Sequence, residues 1–167
     1  KEVISEIIIK SNFLELDNKY LKKEERNKIE EKFHDEWAKK TSTEEIDVRK
    51  SNEVCTAPEM RYITKKLGSL KNKQLLDIGC GLGEASVYFA IKGAHVTSLD
   101  LSSEMLKNAS KLASINNVKI TTKLASAEEF NLPKNLFFDI IYAGNLLHHV
   151  DICETLEKVI KHMKPGS

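Results

Sequence analysis

Cysteine is scarce and scattered. Its three residues, Cys55, Cys80 and Cys153, are odd in number and far apart, with no CxxC pair and no His/Cys cluster. A disulfide framework and a structural zinc are therefore not expected, no metal ligands are assigned, and a reducing compartment fits best. An excess of either charge is also missing. With 26 basic against 25 acidic residues the net charge is +1, which makes no strong case for nucleic acid, although a local patch would not show in that sum. No apolar run approaches the ~20 residues needed to span a bilayer, so no membrane partner is expected. The start lacks a signal peptide's order of basic, apolar and small residues. The expectation is a cytoplasmic protein of one domain, since 167 residues suffice for a sizeable core.

What the chain does have is Leu75-Leu76-Asp77-Ile78-Gly79-Cys80-Gly81-Leu82-Gly83, an apolar run ending in glycines at alternate positions, with a helical pattern after it. Strand, glycine loop and helix in that order place backbone N–H groups beside a cofactor. Before it, Val3, Ile4, Ile7 and Ile8 share a helical face, with a β-branched bias that leaves a strand open. Residues 18–40 are rich in Lys, Glu and Arg, and Ile29, Phe33 and Trp37 recur every four residues as an apolar stripe. The leading reading of the stripe is packing against the main domain; the second is a substrate lid or channel. Residues 41–57 read as loop with at most short helix. Thr56 can cap a helix from Pro58, with Met60, Ile63 and Leu67 aligned and Gly68 as its stop. Residues 1–57 thus read as a helical extension, a lid or an oligomer contact, and the repeating core starts near 58.

From 74 onward the period alternates. Strands are expected at 74–78, 95–99, 118–124 and 137–143. Helices are expected from Glu84 and from a cap at Ser102 or Ser103. A short helix or loop at 127–132 follows, ending at Pro133. Asp151 starts the last helix, with Glu154 completing a capping-box pattern, and Leu156, Val159, Ile160 and Met163 form its buried face. This is an α/β chain: a mostly parallel sheet, right-handed crossovers and flanking helices. Pro165-Gly166-Ser167 reads as the turn into a fifth strand. A fold incomplete at its C-terminus is expected, with its open edge covered by the extension, a homo-oligomer or another partner.

In such a sheet, ligands bind beyond the strand carboxyl ends, where strand order reverses. The segments 77–83, Asp100, 125–128 and 143–149 would converge there. Gly79, Gly81 and Gly83 let the loop turn sharply and admit a ligand against the backbone. Glu84 puts a carboxylate at the helix start and Asp77 adds another, which counts against a pyrophosphate and favours a cationic or zwitterionic ligand. Asp100 can accept from both hydroxyls of a ribose; its rival role as a helix cap is open to Ser102 instead. Leu101 would lie against an adenine face. Cys80 needs no thiol chemistry, only a small soft side chain in a tight space. Tyr142 reads as a packing residue.

Four segments in order resemble the class I S-adenosylmethionine-dependent methyltransferase family, whose fold is Rossmann-like. They are Leu76-Asp77-Ile78-Gly79-Cys80-Gly81-Leu82-Gly83, Leu99-Asp100-Leu101-Ser102, Phe138-Asp139-Ile140-Ile141 with Asn145-Leu146-Leu147-His148-His149, and Met163-Lys164-Pro165-Gly166. The resemblance covers about 58–167, and implies that this stretch is the N-terminal part of a domain binding S-adenosyl-L-methionine. It implies that the glycine loop, Cys80 included, packs against the methionine part, that Asp77 supports the loop or the amino group, and that Asp100 binds the ribose. Ser126 and Ala127 match the adenine-contacting pair, with serine where aspartate is common. Asn145 would line the methionine end and the substrate entrance.

The implied reaction is methyl transfer by in-line displacement, leaving S-adenosyl-L-homocysteine, to an unidentified small-molecule acceptor. The protein mainly brings the nucleophile into line. A base is needed only where the acceptor loses a proton, and His148 and His149 are the candidates by reference pKa. Two readings of other classes stand beside it. A nicotinamide-dependent oxidoreductase shares the glycine loop and Asp100. A non-catalytic cofactor-binding or interaction domain would explain Ser126 and the missing later strands.

Overall fold

The computed structural model describes residues 22–54 and 57–165. The apolar face at 3–8, the Thr56 cap, Cys55 and the closing Gly166-Ser167 lie outside the described residues. Strand β1 (Gln74–Ile78) is buried at every residue after the first, because both its faces are covered. β2 (His95–Asp100) pairs on one side of it and β4 (Ile140–Tyr142) on the other, and β3 (Ile120–Leu124) pairs with β2. All pairings are parallel, in the order β3-β2-β1-β4. The chain winds outward from β1 to β3 and then returns past β1 to β4. Strand order therefore reverses between β1 and β4, and the crevice belongs at their carboxyl ends.

The helices are α1 (Lys23–Lys40), α2 (Val48–Glu53), α3 (Pro58–Leu67), α4 (Glu84–Ile91), α5 (Ser103–Ile115) and α6 (Ile152–Ile160). Their starts follow from local chemistry. Asp47 caps α2 by accepting from the Lys50 N–H, and Pro58 occupies the first turn of α3, where no N–H is needed. Ser102, not Ser103, caps α5 through the Met105 N–H at 3.1 Å. Helices cover both faces of the sheet. One core joins Leu75 and Val96 to Val87, Phe89 and Leu112; the other joins Leu76, Ile78 and Leu99 to Phe130, Phe138 and Val159. The architecture is α/β and Rossmann-like, as the alternation implied. Val48 and Met60 share the first core, so packing runs across the boundary expected near 57.

Several boundaries differ from expectation, each for a local reason. β3 starts at Ile120 because Val118 N–H bonds back to Ala113 O and Asn117 is left-handed at φ +56°. β4 is shorter because Phe138 pairs with Met163 instead, its N–H and C=O taken by His162 and Lys164. The stretch before Pro165 thus already lies beside the start of β4. On α6, Asp151 accepts from the Glu154 N–H at 2.9 Å, as a cap should. The reverse half of the box is not made by Glu154, whose carboxylate goes to Lys23. Glu128 supplies it, accepting from the Asp151 N–H at 2.7 Å. That anchor and the Phe138–Met163 bridge set the rotation of α6. Thr155 and Val159 turn inward, while the expected Leu156 and Ile160 are 44% and 64% exposed. Beyond its first residue β3 is exposed, at the edge of the sheet opposite β4.

Candidate functional site

The loop after β1 is held by β2. The N–H groups of Gly79 and Cys80 donate to Leu99 O, at 2.7 and 3.0 Å. The Gly81 N–H donates to Asp100 Oδ2 at 2.8 Å, and the Ser102 N–H donates to Oδ1 at 2.9 Å. Asp100 thus ties the glycine loop to the start of α5, and burial pushes its carboxyl above the usual range against the pull of those N–H groups.

The glycines have different reasons. At Gly79, φ +69°, a Cβ would lie 2.9 Å from Leu146 Cδ1, so the loop and the segment after β4 close on each other. A Cβ at Gly81 would meet nothing within 4 Å, which leaves the backbone open to the cavity. At Gly83, φ +85°, a Cβ would lie 2.6 Å from Ala109 Cβ. Gly83, absent from the cavity lining, lets α4 start close against α5.

Beneath the loop Asp77 is buried and accepts from Ser86 Oγ at 2.6 Å; Ser86 Oγ also lies 2.7 Å from Ser98 Oγ. Burial pushes its carboxyl up to about 7, with the Ser86 bond opposing and the Asp100 charge adding to the rise. Burial likewise pushes the Cys80 thiol up, which fits packing rather than thiolate chemistry.

Above the β1 and β4 carboxyl ends lies a cavity of about 730 Å³, within the ~300–1,000 Å³ usual for small-molecule sites. Asp77, Gly79, Cys80, Gly81, Asp100, Leu101, Ser126 and Ala127 line it, with Asn145, His148 and His149 from the segment after β4. Chain segments far apart in sequence therefore converge as the topology requires. Asn145 turns that segment with a left-handed φ of +53°, a conformation asparagine tolerates. Tyr142 packs edge-on against Phe89 with ring centroids 5.2 Å apart, and it too borders the cavity. Glu30, Asp77, Glu84 and Asp100 bring four carboxyl groups, and no Lys or Arg is among the described residues of the lining.

The roof is α1. It packs on α5, where Asn108 Nδ2 donates to Ala38 O at 2.8 Å. Arg26 binds Glu128 after β3, and Ser102 Oγ donates to Asp35. Phe33 and Trp37 line the cavity, and Ile29 and Trp37 are more than one-third exposed. The helix packs against the main domain, the leading reading of the stripe, and Phe33 and Trp37 of that stripe also border the cavity. The residues buried on α1 are Glu30 and Ala38. Glu30 Oε1 is 3.2 Å from His149 Nδ1 and Oε2 is 3.4 Å from His34 Nε2. Sequence reasoning missed Glu30 and His34. Their signal was a carboxylate and an imidazole one helical turn apart beside the Phe33/Trp37 stripe, lost among the many charges of the helix. Among the described residues no group of three or more His, Cys, Asp or Glu could hold a metal ion.

Residues 75–166 match the family model described as a methyltransferase domain. The ubiquinone biosynthesis O-methyltransferase of Aromatoleum aromaticum is 38% identical over 106 residues, 63% of this chain and 45% of that protein. Its counterpart in Aeromonas salmonicida is 35% identical over 106 residues, 63% and 44% of the two chains. The chain thus spans less than half the length of these curated relatives. Among solved structures, an S-adenosylmethionine-dependent methyltransferase from Mesorhizobium loti is 28% identical with a TM-score of 0.53, covering 66% of this chain and 49% of that one. The phosphoethanolamine N-methyltransferase 1 of Haemonchus contortus shares the fold at 18% identity, with a TM-score of 0.65 over 87% of this chain and 31% of that one.

Proposed function

The chain belongs to the methyltransferase-domain family, and from that membership we propose that it transfers a methyl group from S-adenosyl-L-methionine to a small-molecule acceptor. One observation carries the reading: at the strand-order reversal, an open glycine loop tied to Asp100 faces a cavity with four carboxyl groups and no Lys or Arg among its described lining residues. A pyrophosphate would find no cation there, whereas a sulfonium and an ammonium find complementary charge. That contrast weighs against the nicotinamide oxidoreductase.

The residues present suit the ligand. The Asp100 oxygens accept the Gly81 and Ser102 N–H groups and keep lone-pair capacity for ribose hydroxyls. Gly79, Cys80 and Gly81 offer a close backbone wall to the methionine part, which Asp77 supports from below. Leu101, Ser126 and Ala127 flank the adenine. Asn145 faces the methionine end, and His148 and His149 stand on the acceptor side. The bound ligand supplies an electrophilic methyl group on a sulfonium. The chain's task is to hold the acceptor atom in line with it under α1 and to keep water out.

On this reading, 1–57 carry the lid and 58–167 are the N-terminal part of the cofactor-binding domain. A cytoplasmic setting suits the dispersed cysteines. A second copy or another partner covering the open edge of β4 goes with the same proposal. Incubation with methyl-labelled S-adenosylmethionine and a panel of phenols, amines and thiols tests it. Label on at least one class is expected; none on any would favour the non-catalytic binding domain.

A further inference from the structure

Tyr142, the last residue of β4, carries a hydroxyl that the chain makes room for and then leaves without a partner. Its ring is pinned edge-on against Phe89, with centroids 5.2 Å apart. A Cβ at Gly144 would lie 2.5 Å from the Tyr142 hydroxyl oxygen and 2.8 Å from its ring, so glycine at 144 keeps the phenol head in place. Both residues border the cavity, and among the described residues the hydroxyl makes no hydrogen bond. Burial pushes the hydroxyl above its ordinary value, with the charges of Asp77 and Glu59 adding to the rise, so it stays a protonated donor. A donor fixed at a cavity wall with its capacity unspent awaits a ligand.

The proposed cofactor has one group for which no partner has been found, the methionine carboxylate. No Lys or Arg is among the described residues of the lining. The glycine-loop N–H groups best placed to serve are spent inside the protein: Gly79 and Cys80 on Leu99 O, Gly81 on Asp100, and Gly83 on Cys80 O at 2.9 Å. A carboxylate taken out of water needs donors, so an uncharged side chain has to supply one. We propose that the Tyr142 hydroxyl binds the methionine carboxylate of S-adenosyl-L-methionine. The inference rests on the proposed methyl donor and says how its zwitterionic end is held. The acids near Tyr142 do not forbid it. Glu59 is exposed on α3 and screened by solvent. Asp77, with its carboxyl pushed up to about 7 by burial, is partly protonated at neutral pH and already accepts from Ser86. The ligand's own ammonium accompanies the carboxylate and answers the other carboxyl groups of the wall. With the ribose on Asp100 and the carboxylate on Tyr142, the sulfur between them is held from both sides, as an in-line transfer requires.

Calorimetry of the whole chain and of Tyr142→Phe, each with S-adenosylhomocysteine and with its decarboxylated analogue, tests the assignment. The analogue keeps the adenosine, the sulfur and the amine and lacks only the carboxylate. Phenylalanine keeps the ring on Phe89 and removes only a hydroxyl without a partner among the described residues, so the fold is kept. Tyr142→Phe should weaken S-adenosylhomocysteine by about 10–100-fold, the size of a hydrogen bond to a charged group, and leave the analogue within about threefold. The four affinities form a cycle in which changes common to both ligands cancel. Equal affinity of wild type and variant for S-adenosylhomocysteine overturns the proposal. So does an equal loss for both ligands, which would assign the hydroxyl to the shape of the site or to the amine. Binding of neither ligand by the wild type overturns the methyl-donor reading itself, and the role of Tyr142 with it.

Discussion

The Asp100 carboxylate accepts the Gly81 N–H at 2.8 Å, so the end of β2 shapes the loop that follows β1. One side chain thus both shapes the glycine loop and lines the cavity. Asp100→Asn keeps the shape but turns one acceptor into a donor, opposite an N–H or a ribose hydroxyl. Losing a charge-assisted hydrogen bond of about 1.5–3 kcal/mol should weaken S-adenosylhomocysteine binding by about 10–100-fold. Calorimetry on a variant with native circular dichroism checks this, and unchanged affinity would remove Asp100 from the site.

Gly81 and Gly83 should separate binding from folding. Gly83→Ala drives a Cβ to 2.6 Å from Ala109 at φ +85°, and overpacking with left-handed strain should cost about 1–3 kcal/mol or more. Gly81→Ala meets nothing within 4 Å, so only the left-handed strain of about 1–2 kcal/mol remains, while its methyl intrudes on the cofactor wall. Thermal melts should rank Gly83→Ala lower, and calorimetry should rank Gly81→Ala weaker. The reverse order would contradict the separate roles of the two glycines.

The local order of the fold was legible because three of the four strands were followed by a distinct signal: the glycine loop after Ile78, Asp100 with Ser102, and Asn145 before the histidines. These signals act over a few residues, and a sequence can carry them. What was not legible needed distance. The rotation of α6 depends on Glu128 holding the Asp151 N–H across 23 positions. The placement of α1 depends on Arg26 reaching Glu128 across 102 positions. Glu30 looked like one more surface acid on a charged helix until His149 stood beside it. Gly83 was read with Gly79 and Gly81 because spacing alone cannot tell a ligand wall from a helix contact.

Asp77 gives the fold a pH dependence of defined sign. Burial lifts its carboxyl from 3.8 to about 7. The native state then binds more protons than the unfolded chain between those values, so this contribution is fully present below pH 4 and is lost as pH rises through 7. Asp77→Asn removes the ionisation and should flatten that loss. Melting temperatures of both proteins from pH 5 to 8 check this; parallel curves would contradict a buried, raised Asp77.

Trp37 is the only tryptophan in the chain and lies on α1 at the cavity wall. Binding of S-adenosylhomocysteine should change its emission saturably. In the free protein, Glu30 is held at about 2, below its ordinary 4.5. Its contribution is therefore present above pH 4.5 and lost as pH falls towards 2, when α1 should loosen and the emission shift to the red. Emission indifferent to the ligand would contradict a roof built by α1.

The most direct measurement is a calorimetric titration of the chain with S-adenosylhomocysteine and, separately, with NADH. A cavity with four carboxyl groups and no Lys or Arg among its described residues predicts saturable binding of the first and none of the second. Saturable NADH binding with no response to S-adenosylhomocysteine would contradict the assignment of this site.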